Sequence, residues 1–132
     1  MRRAAIGLAR RLATFVAVGT SAALVHLGTV VLLVESAIAS PLRANVVGWL
    51  AALVVSFAGH RRYTFADATT GLSRSLRRFF VISGCGFVVN QAAYAALLAR
   101  DALAYDLALA VVLVTVAVAT YVASRLWAFG AR

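Results

Sequence analysis

Charged residues are scarce in this chain, and acidic residues are the scarcest. Only 13% of its 132 residues are charged, against about a quarter in a soluble domain, while 64% are hydrophobic. The acids are Glu35, Asp67, Asp101 and Asp106, and each lies in a connection or at the end of an apolar run. The composition predicts a protein that folds in lipid, and the lack of a carboxylate in mid-span excludes an acid-based proton relay.

Cysteine and the familiar catalytic motifs are lacking as well. The single Cys85 excludes a disulfide framework or a cysteine metal site within one chain. The sequence contains no nucleotide-binding glycine loop, no HExxH-type metal spacing and no nucleophile motif. We therefore predict that the protein is not an enzyme and that it uses neither a cofactor nor a metal.

Lysine is absent, so all thirteen basic residues are arginine and the formal net charge is +9. A charge of this size could indicate nucleic acid. The arginines, however, lie at the ends of apolar runs, where membrane proteins place them. Nucleic acid is therefore not predicted as a partner.

Four apolar stretches are long enough, or nearly so, to cross the ~30 Å hydrocarbon layer as helices. They cover residues 12–34, 44–59, 79–99 and 104–124, and the second is short enough to need its flanks. A cleavable signal peptide is the alternative for the first stretch, but that stretch is too long for the apolar core of a signal. One all-α membrane domain over residues 1–132 is predicted.

The arginines are divided unequally between the two ends of these spans. Arg43 and Arg100 lie in the two short connections, and the others lie before the first span, in the middle loop or in the tail. Arginine-rich short loops stay in the cytoplasm, which predicts a multi-pass cytoplasmic-membrane protein with both termini inside. In the middle loop, Arg74, Arg77 and Arg78 form an amphipathic helix at an anionic leaflet or serve only as a topology anchor.

The sequence repeats itself at an offset of 64 residues. FAGHRRYTF at 57–65 recurs as YVASRLWAF at 121–129, and His26 in the first span corresponds to Asn90 in the third. One fixed offset across separate elements indicates a duplicated two-span unit, whose halves would share one orientation about a pseudo-twofold axis along the membrane normal. The predicted repeats are residues 11–65 and 75–129.

Polar residues near the middle of the spans form the first candidate site. At that depth a polar side chain pairs with another, acts as structural glue between helices, or lines a wet substrate path. Because His26 and Asn90 are equivalent in the repeat, a role in lining a substrate path is as well supported as a purely structural role. The candidate lining residues in mid-span are His26, Asn90 and Gln91, and His60 and Ser124 lie at the cytoplasmic end. Asn45 and Trp49, near the outer end of the second span, either add to this lining or mark the membrane interface.

The repeated basic motif is the second candidate site. Guanidinium is the best planar donor for phosphate, and tyrosine and tryptophan favour the depth of lipid headgroups. Positive-inside anchoring explains arginines at this end, but it does not require the same spacing of arginine and aromatics twice. The predicted phosphate ligands are Arg61, Arg125 and Arg62, and the predicted interfacial aromatics are Tyr63 and Trp127.

Four segments resemble the GtrA-like family of small four-span proteins: FVAVGTSAALVHLG, SFAGHRRYTF, FFVISGCGFVVNQAAY and SRLWAF. The family's most specific mark is aromatic-x-x-Asn-Arg-x-aromatic-x-Phe, in which His60 and Ser124 here replace asparagine. The resemblance implies translocation of a polyprenyl-phosphate-linked monosaccharide across the cytoplasmic membrane, for cell-wall or surface polysaccharide synthesis. The alternative that it implies is a membrane anchor that recruits a polyprenyl-phosphate glycosyltransferase.

These two hypotheses expect different partners. For transport, the arginines would hold the phosphate, the mid-span polar groups would bind sugar hydroxyls, and the prenyl tail would remain in lipid. Four helices are few to enclose a sugar phosphate, so a homodimer is expected. For anchoring, the middle-loop arginines would dock the transferase. A small multidrug-type exporter is a third hypothesis, but the chain lacks the membrane-embedded glutamate that it would need.

Overall fold

The computed structural model describes residues 2–64 and 72–128, and within them the side chains of residues 10, 13–63, 77 and 79–119. The described backbone is helical apart from two short turns, and it contains no strand. Its elements are α1 (Arg2–Glu35), α2 (Pro41–Gly59), a π-helical turn (His60–Thr64), α3 (Leu72–Leu98) and α4 (Tyr105–Ala128). The prediction of an all-α protein is confirmed.

Among the described residues, three helical stretches are long and apolar enough to cross a membrane. They are Ala13–Glu35, Pro41–Tyr63 and Phe79–Leu98, and Tyr105–Ala119 is a shorter apolar helix. The second stretch reaches spanning length because it begins at Pro41 and continues into the π-helical turn. The chain is therefore a multi-pass membrane protein.

Proline and its neighbour define the start of α2. Ser40 is extended, with φ −67° and ψ 156°, and Pro41 is the first helical residue. Proline suits this position because its missing N–H is one that the first turn of a helix would leave unpaired. Ser40 and Pro41 therefore mark the start of α2.

Both described interhelical turns contain a non-glycine residue in the left-handed region. Ala37 follows α1 with φ 54°, and Asp101 follows α3 with φ 49°. The N–H of Ala37 donates to the Val34 carbonyl at 2.9 Å, and that of Asp101 donates to the Leu98 carbonyl at 3.1 Å. Both bonds close the end of a helix by satisfying a carbonyl that would lack an intrahelical partner. The two turns are 64 residues apart.

The basic segment after the middle loop belongs to α3. Residues 73–80 are helical, as predicted, and they are continuous with the third span. Their position at an anionic leaflet stays a prediction. Neither proline nor glycine interrupts the chain between Leu72 and Ser83, which allows the helix to continue. Arg77 is exposed, while the side chains of Arg74 and Arg78 lie outside the described residues.

The chain divides into two compact units inside α3, Met1–Gly84 and Cys85–Arg132. The first unit contains α1, α2, the π-helical turn and the first part of α3. The second contains the rest of α3 and α4. The boundary lies beyond the predicted repeat boundary because aromatic rings of α2 contact the first turns of α3: Trp49 contacts Phe80, and Phe57 contacts Phe79, each with ring centroids 5.6 Å apart.

In the first unit, α1 and α2 approach closely at a glycine. A Cβ added to Gly48 would lie 2.6 Å from Cδ2 of His26 and 2.8 Å from its carbonyl oxygen. Val30 and Ala44 are fully buried beside this contact. Small residues let helix backbones approach in lipid, where association depends on packing and hydrogen bonds. Gly48 therefore sets the separation of the two helices.

In the second unit, larger side chains stand at two of the corresponding positions: Tyr94 corresponds to Val30, and Val112 corresponds to Gly48. Tyr94, Ala108 and Leu109 are fully buried, and the Tyr94 hydroxyl donates to the Tyr105 carbonyl at 3.0 Å, which ties α3 to the start of α4. Five buried positions recur at the offset of 64 residues: they are His26, Val30, Ala44, Asn45 and Gly48 in the first unit and Asn90, Tyr94, Ala108, Leu109 and Val112 in the second. Ala22, Ala52 and Leu53 are also buried, but the residues 64 positions after them are not.

Candidate functional site

A polar pair lies in the apolar interface of α1 and α2. His26 Nε2 is 2.7 Å from Asn45 Oδ1, and both side chains are buried. Because an amide oxygen only accepts, the imidazole donates through Nε2. The sequence singled out both residues as candidate lining without pairing them, and the structure brings them together.

Asn90 and Gln91, the other mid-span candidates, lie on α3 in the second unit. Asn90 is buried and Gln91 is half-buried. Asn90 occupies the position 64 residues after His26, and the position 64 residues after Asn45 is occupied by Leu109. The second unit therefore has no polar side chain at the equivalent place on α4. That His26 and Asn90 meet in one path stays a prediction.

His60 begins the π-helical turn and lies in an aromatic cluster. Its ring stacks on Phe15 with centroids 4.7 Å apart and lies 6.2 Å from Phe79. Phe57 completes the cluster through its own contact with Phe79. His60 is buried and contacts two of these phenylalanines, Phe15 and Phe79, so its packing helps to hold the π-helical turn in place.

The π-helical turn carries the basic motif. Arg61 is half-buried, whereas Arg62 and Tyr63 are exposed. The guanidinium carbon of Arg62 lies 5.7 Å from the centroid of the Tyr63 ring, within cation–π range. Wider π-helical turns occur frequently at functional sites. Here the turn presents two cations and a tyrosine beside the buried His60, an arrangement suited to an anionic headgroup.

The second copy of the motif lies at the end of α4. Ser124, Arg125 and Trp127 belong to the helical backbone, and their side chains lie outside the described residues. The pairing of Arg61 with Arg125 around one phosphate stays a prediction.

Trp49, the last of the candidate lining residues, holds α2 against α3. Its indole N–H donates to the Ser83 hydroxyl at 3.0 Å, and its ring contacts Phe80. A tryptophan with a bonded N–H and a packed ring is a typical interhelical anchor. Ser83 and Phe80 were not among the candidates, and no polar pattern in the sequence distinguished them from other span residues.

A groove between α1 and α2 was also missed from the sequence. One wall is Thr14, Ala17, Val18 and Ser21 of α1, and the other is Val55, Ala58 and Gly59 of α2, with Tyr63 at the end. Its volume is about 490 Å³. The available signal was the spacing of small residues three and four apart on α1, which places them on one face. We call this the α1–α2 groove.

Within the described part of the chain, titratable side chains do not cluster as a metal centre. Among the described residues, no three or more histidine, cysteine or acidic side chains lie where they could hold one ion. The polar chemistry of the described site therefore consists of hydrogen bonds in mid-span and cations at the end of α2.

The comparisons with known proteins identify the family of the chain. No curated protein and no solved structure matches the chain significantly. The family model described as the GtrA/DPMS transmembrane domain matches residues 14–129, which covers all the candidate residues and confirms the resemblance seen in the sequence. The chain belongs to the GtrA/DPMS transmembrane domain family.

Proposed function

We propose that the protein translocates a polyprenyl-phosphate-linked monosaccharide across the cytoplasmic membrane for cell-wall or surface polysaccharide synthesis. Membership of the GtrA/DPMS family supports a role with polyprenyl-phosphate sugars. The observation that carries the proposal is the π-helical turn, in which Arg61, Arg62 and Tyr63 follow the buried His60. Such a turn holds a phosphate by charge-assisted hydrogen bonds, and this kind of transport requires no catalytic group.

A duplicated architecture would supply the second half of the grip. The turns at Ala37 and Asp101 and the two sets of buried positions, each separated by 64 residues, support the proposed repeat. With both termini and the middle loop in the cytoplasm, the motifs of Arg61 and Arg125 belong to the same leaflet. Two guanidinium groups then grip the phosphate from two sides. A homodimer would add wall to the sugar path.

The polar residues of the spans would accept the sugar as it passes. His26 and Asn45 are hydrogen-bonded to each other at 2.7 Å, which keeps both polar side chains paired in the apolar interface. A sugar hydroxyl both donates and accepts, so it can replace either partner. Asn90 and Gln91 offer further amides on α3. The prenyl tail stays outside this polar path.

The test is a flipping assay with purified protein in liposomes that contain a labelled polyprenyl-phosphate monosaccharide. Arg61→Ala combined with Arg125→Ala should slow appearance of the lipid in the opposite leaflet at least about tenfold, because the phosphate contacts are lost. Arg43→Ala is the matched control, since Arg43 is an exposed arginine near the other end of α2. Equal rates for the parent and the double variant would contradict the proposed phosphate grip.

Recruitment of a polyprenyl-phosphate glycosyltransferase is the competing function. It is favoured by the helical start of α3, where Arg77 is exposed close to Arg74 and Arg78 in sequence. Replacing these three arginines with glutamine should abolish co-purification of the transferase if the segment is a docking site. Retained co-purification together with unchanged flipping would count against docking through α3.

A further inference from the structure

The α1–α2 groove presents hydrocarbon along its length although two hydroxyl residues line it. The Thr14 hydroxyl donates to the Arg10 carbonyl at 3.1 Å, and the Ser21 hydroxyl donates to the Ala17 carbonyl at 2.9 Å. Hydroxyls that bond to their own helix offer little to a ligand. The groove is therefore unsuited to a sugar and suited to an apolar chain.

Basic and aromatic side chains mark one end of the groove. Tyr63 lines that end, and Arg62 lies over the Tyr63 ring. On the opposite wall, Thr14 is one helical turn from Arg10, which is exposed. Two cations and a tyrosine at the mouth of an apolar groove complement a molecule with an anionic head and a hydrocarbon tail.

Small side chains shape the rest of the groove. Thr14 and Ser21 are seven residues apart, so the groove extends about 10 Å along α1. Ala17 and Ala58 on facing walls leave room that larger residues would fill. A chain with methyl branches is wider than a linear acyl chain and gains more contact in such a space.

We propose that the α1–α2 groove binds the isoprene units next to the phosphate of a polyprenyl-phosphate lipid. The class of lipid rests on the proposed function. The addition is that the first part of the prenyl tail binds to the protein instead of remaining in bulk lipid. The phosphate then lies at Arg10 and Arg62, in position to pass to the half-buried Arg61. The groove is a loading site for the transported lipid.

The test compares two ligands with tails of similar length on the full purified chain in detergent micelles. Farnesyl phosphate carries the branched isoprenoid tail, and dodecyl phosphate carries a linear one. The parent protein should bind farnesyl phosphate more tightly than dodecyl phosphate. Ala17→Leu and Ala58→Leu, which fill the groove, should each weaken farnesyl phosphate binding about fivefold or more. Ala92→Leu adds the same group at an exposed position of α3 outside the groove and should leave binding unchanged.

Three results would overturn the proposal, provided that circular dichroism shows the variants to be folded. Equal binding of the two phosphates would mean that the groove takes any lipid tail. Unchanged binding by both leucine variants would place the tail elsewhere. A change in oligomeric state with unchanged binding would identify the groove as a contact between two copies of the chain.

The same variants separate this proposal from the proposed function. Farnesyl phosphate bound in the groove by a protein that flips no lipid would preserve the loading site and refute transport. Flipping at the parental rate by Ala58→Leu would preserve transport and refute the loading site.

Discussion

The α1–α2 hairpin of the first unit and the α3–α4 hairpin of the second turn in the same way. Ala37 and Asp101 adopt left-handed conformations at equivalent positions, and the backbone N–H of each bonds to the carbonyl three residues before it. Alanine and aspartate are chemically dissimilar. The shared geometry is therefore imposed by the helix–turn–helix backbone and not by the residue at the turn.

Inside the two hairpins the packing differs. The first has a polar pair, His26 and Asn45, beside the close contact at Gly48. In the second, Leu109 and Val112 stand where Asn45 and Gly48 stand in the first. The first hairpin thus joins its two helices through a buried pair of polar side chains, whereas the second ties α3 to the start of α4 through the Tyr94 hydroxyl.

Replacing Gly48 should have the largest effect on the stability of the protein. Gly48→Val introduces the residue found at position 112, and its Cβ would meet the side chain and the carbonyl oxygen of His26. A backbone atom cannot move aside cheaply, so we expect a loss of about 3 kcal/mol in the free energy of unfolding, or no folded protein. Denaturation in mixed micelles measures it.

Gly28→Val is the control for this exchange, because a Cβ at Gly28 meets no atom within 4 Å. Near-parental stability is expected for it. A Gly48→Val variant as stable as the control would show that α1 and α2 are not held at this distance.

Breaking the polar pair should have the next largest effect. Asn45→Leu reproduces Leu109 and removes the side-chain partner of the buried His26 imidazole, which should cost about 1 to 3 kcal/mol. His26→Leu should cost a similar amount. The double variant should cost less than the sum, with a coupling of about 0.6 to 1.7 kcal/mol in lipid. Additive costs would show that the hydrogen bond contributes nothing.

Replacing His26 by a side chain that keeps the hydrogen bond to Asn45 should have a smaller effect on stability, and it tests the role of this bond in transport. His26 bonds through Nε2, the distal ring nitrogen, and a glutamine places an amide N–H at similar reach. His26→Gln should therefore keep flipping within about twofold of the parent and lose less than about 1 kcal/mol. His26→Leu is the comparison. Equal flipping by both variants would exclude His26 from the sugar path.

The turns should show the smallest effects. Alanine in the left-handed region carries strain that glycine does not, so Ala37→Gly should raise the free energy of unfolding by up to about 1 kcal/mol. Asp101→Gly should raise it less, because aspartate tolerates this conformation better. Equal gains would show that strain at the two turns is the same.

The hydropathy pattern along the chain was sufficient to predict that the chain is helical and in what order its apolar helices follow. The need of the second span for its flanks follows from its apolar length. The predicted start at residue 44, however, lies three residues after the observed start at Pro41. Lipid requires every backbone polar group to be bonded within a segment, so apolar length alone indicates helix. The repeat at 64 residues also lies in the sequence, and the two matching turns support it.

Only the tertiary structure decided which residues meet. That His26 bonds Asn45, that His60 lies among phenylalanines and that the α1–α2 groove exists all depend on the rotation and separation of neighbouring helices. The contact at Gly48 sets that separation. The space available at Gly48 depends on how close α1 lies to α2, which the sequence of either helix alone does not specify. Periodicity identifies the faces of one helix. It contains no information on the face that another helix will cover, because that choice depends on side-chain packing between the two.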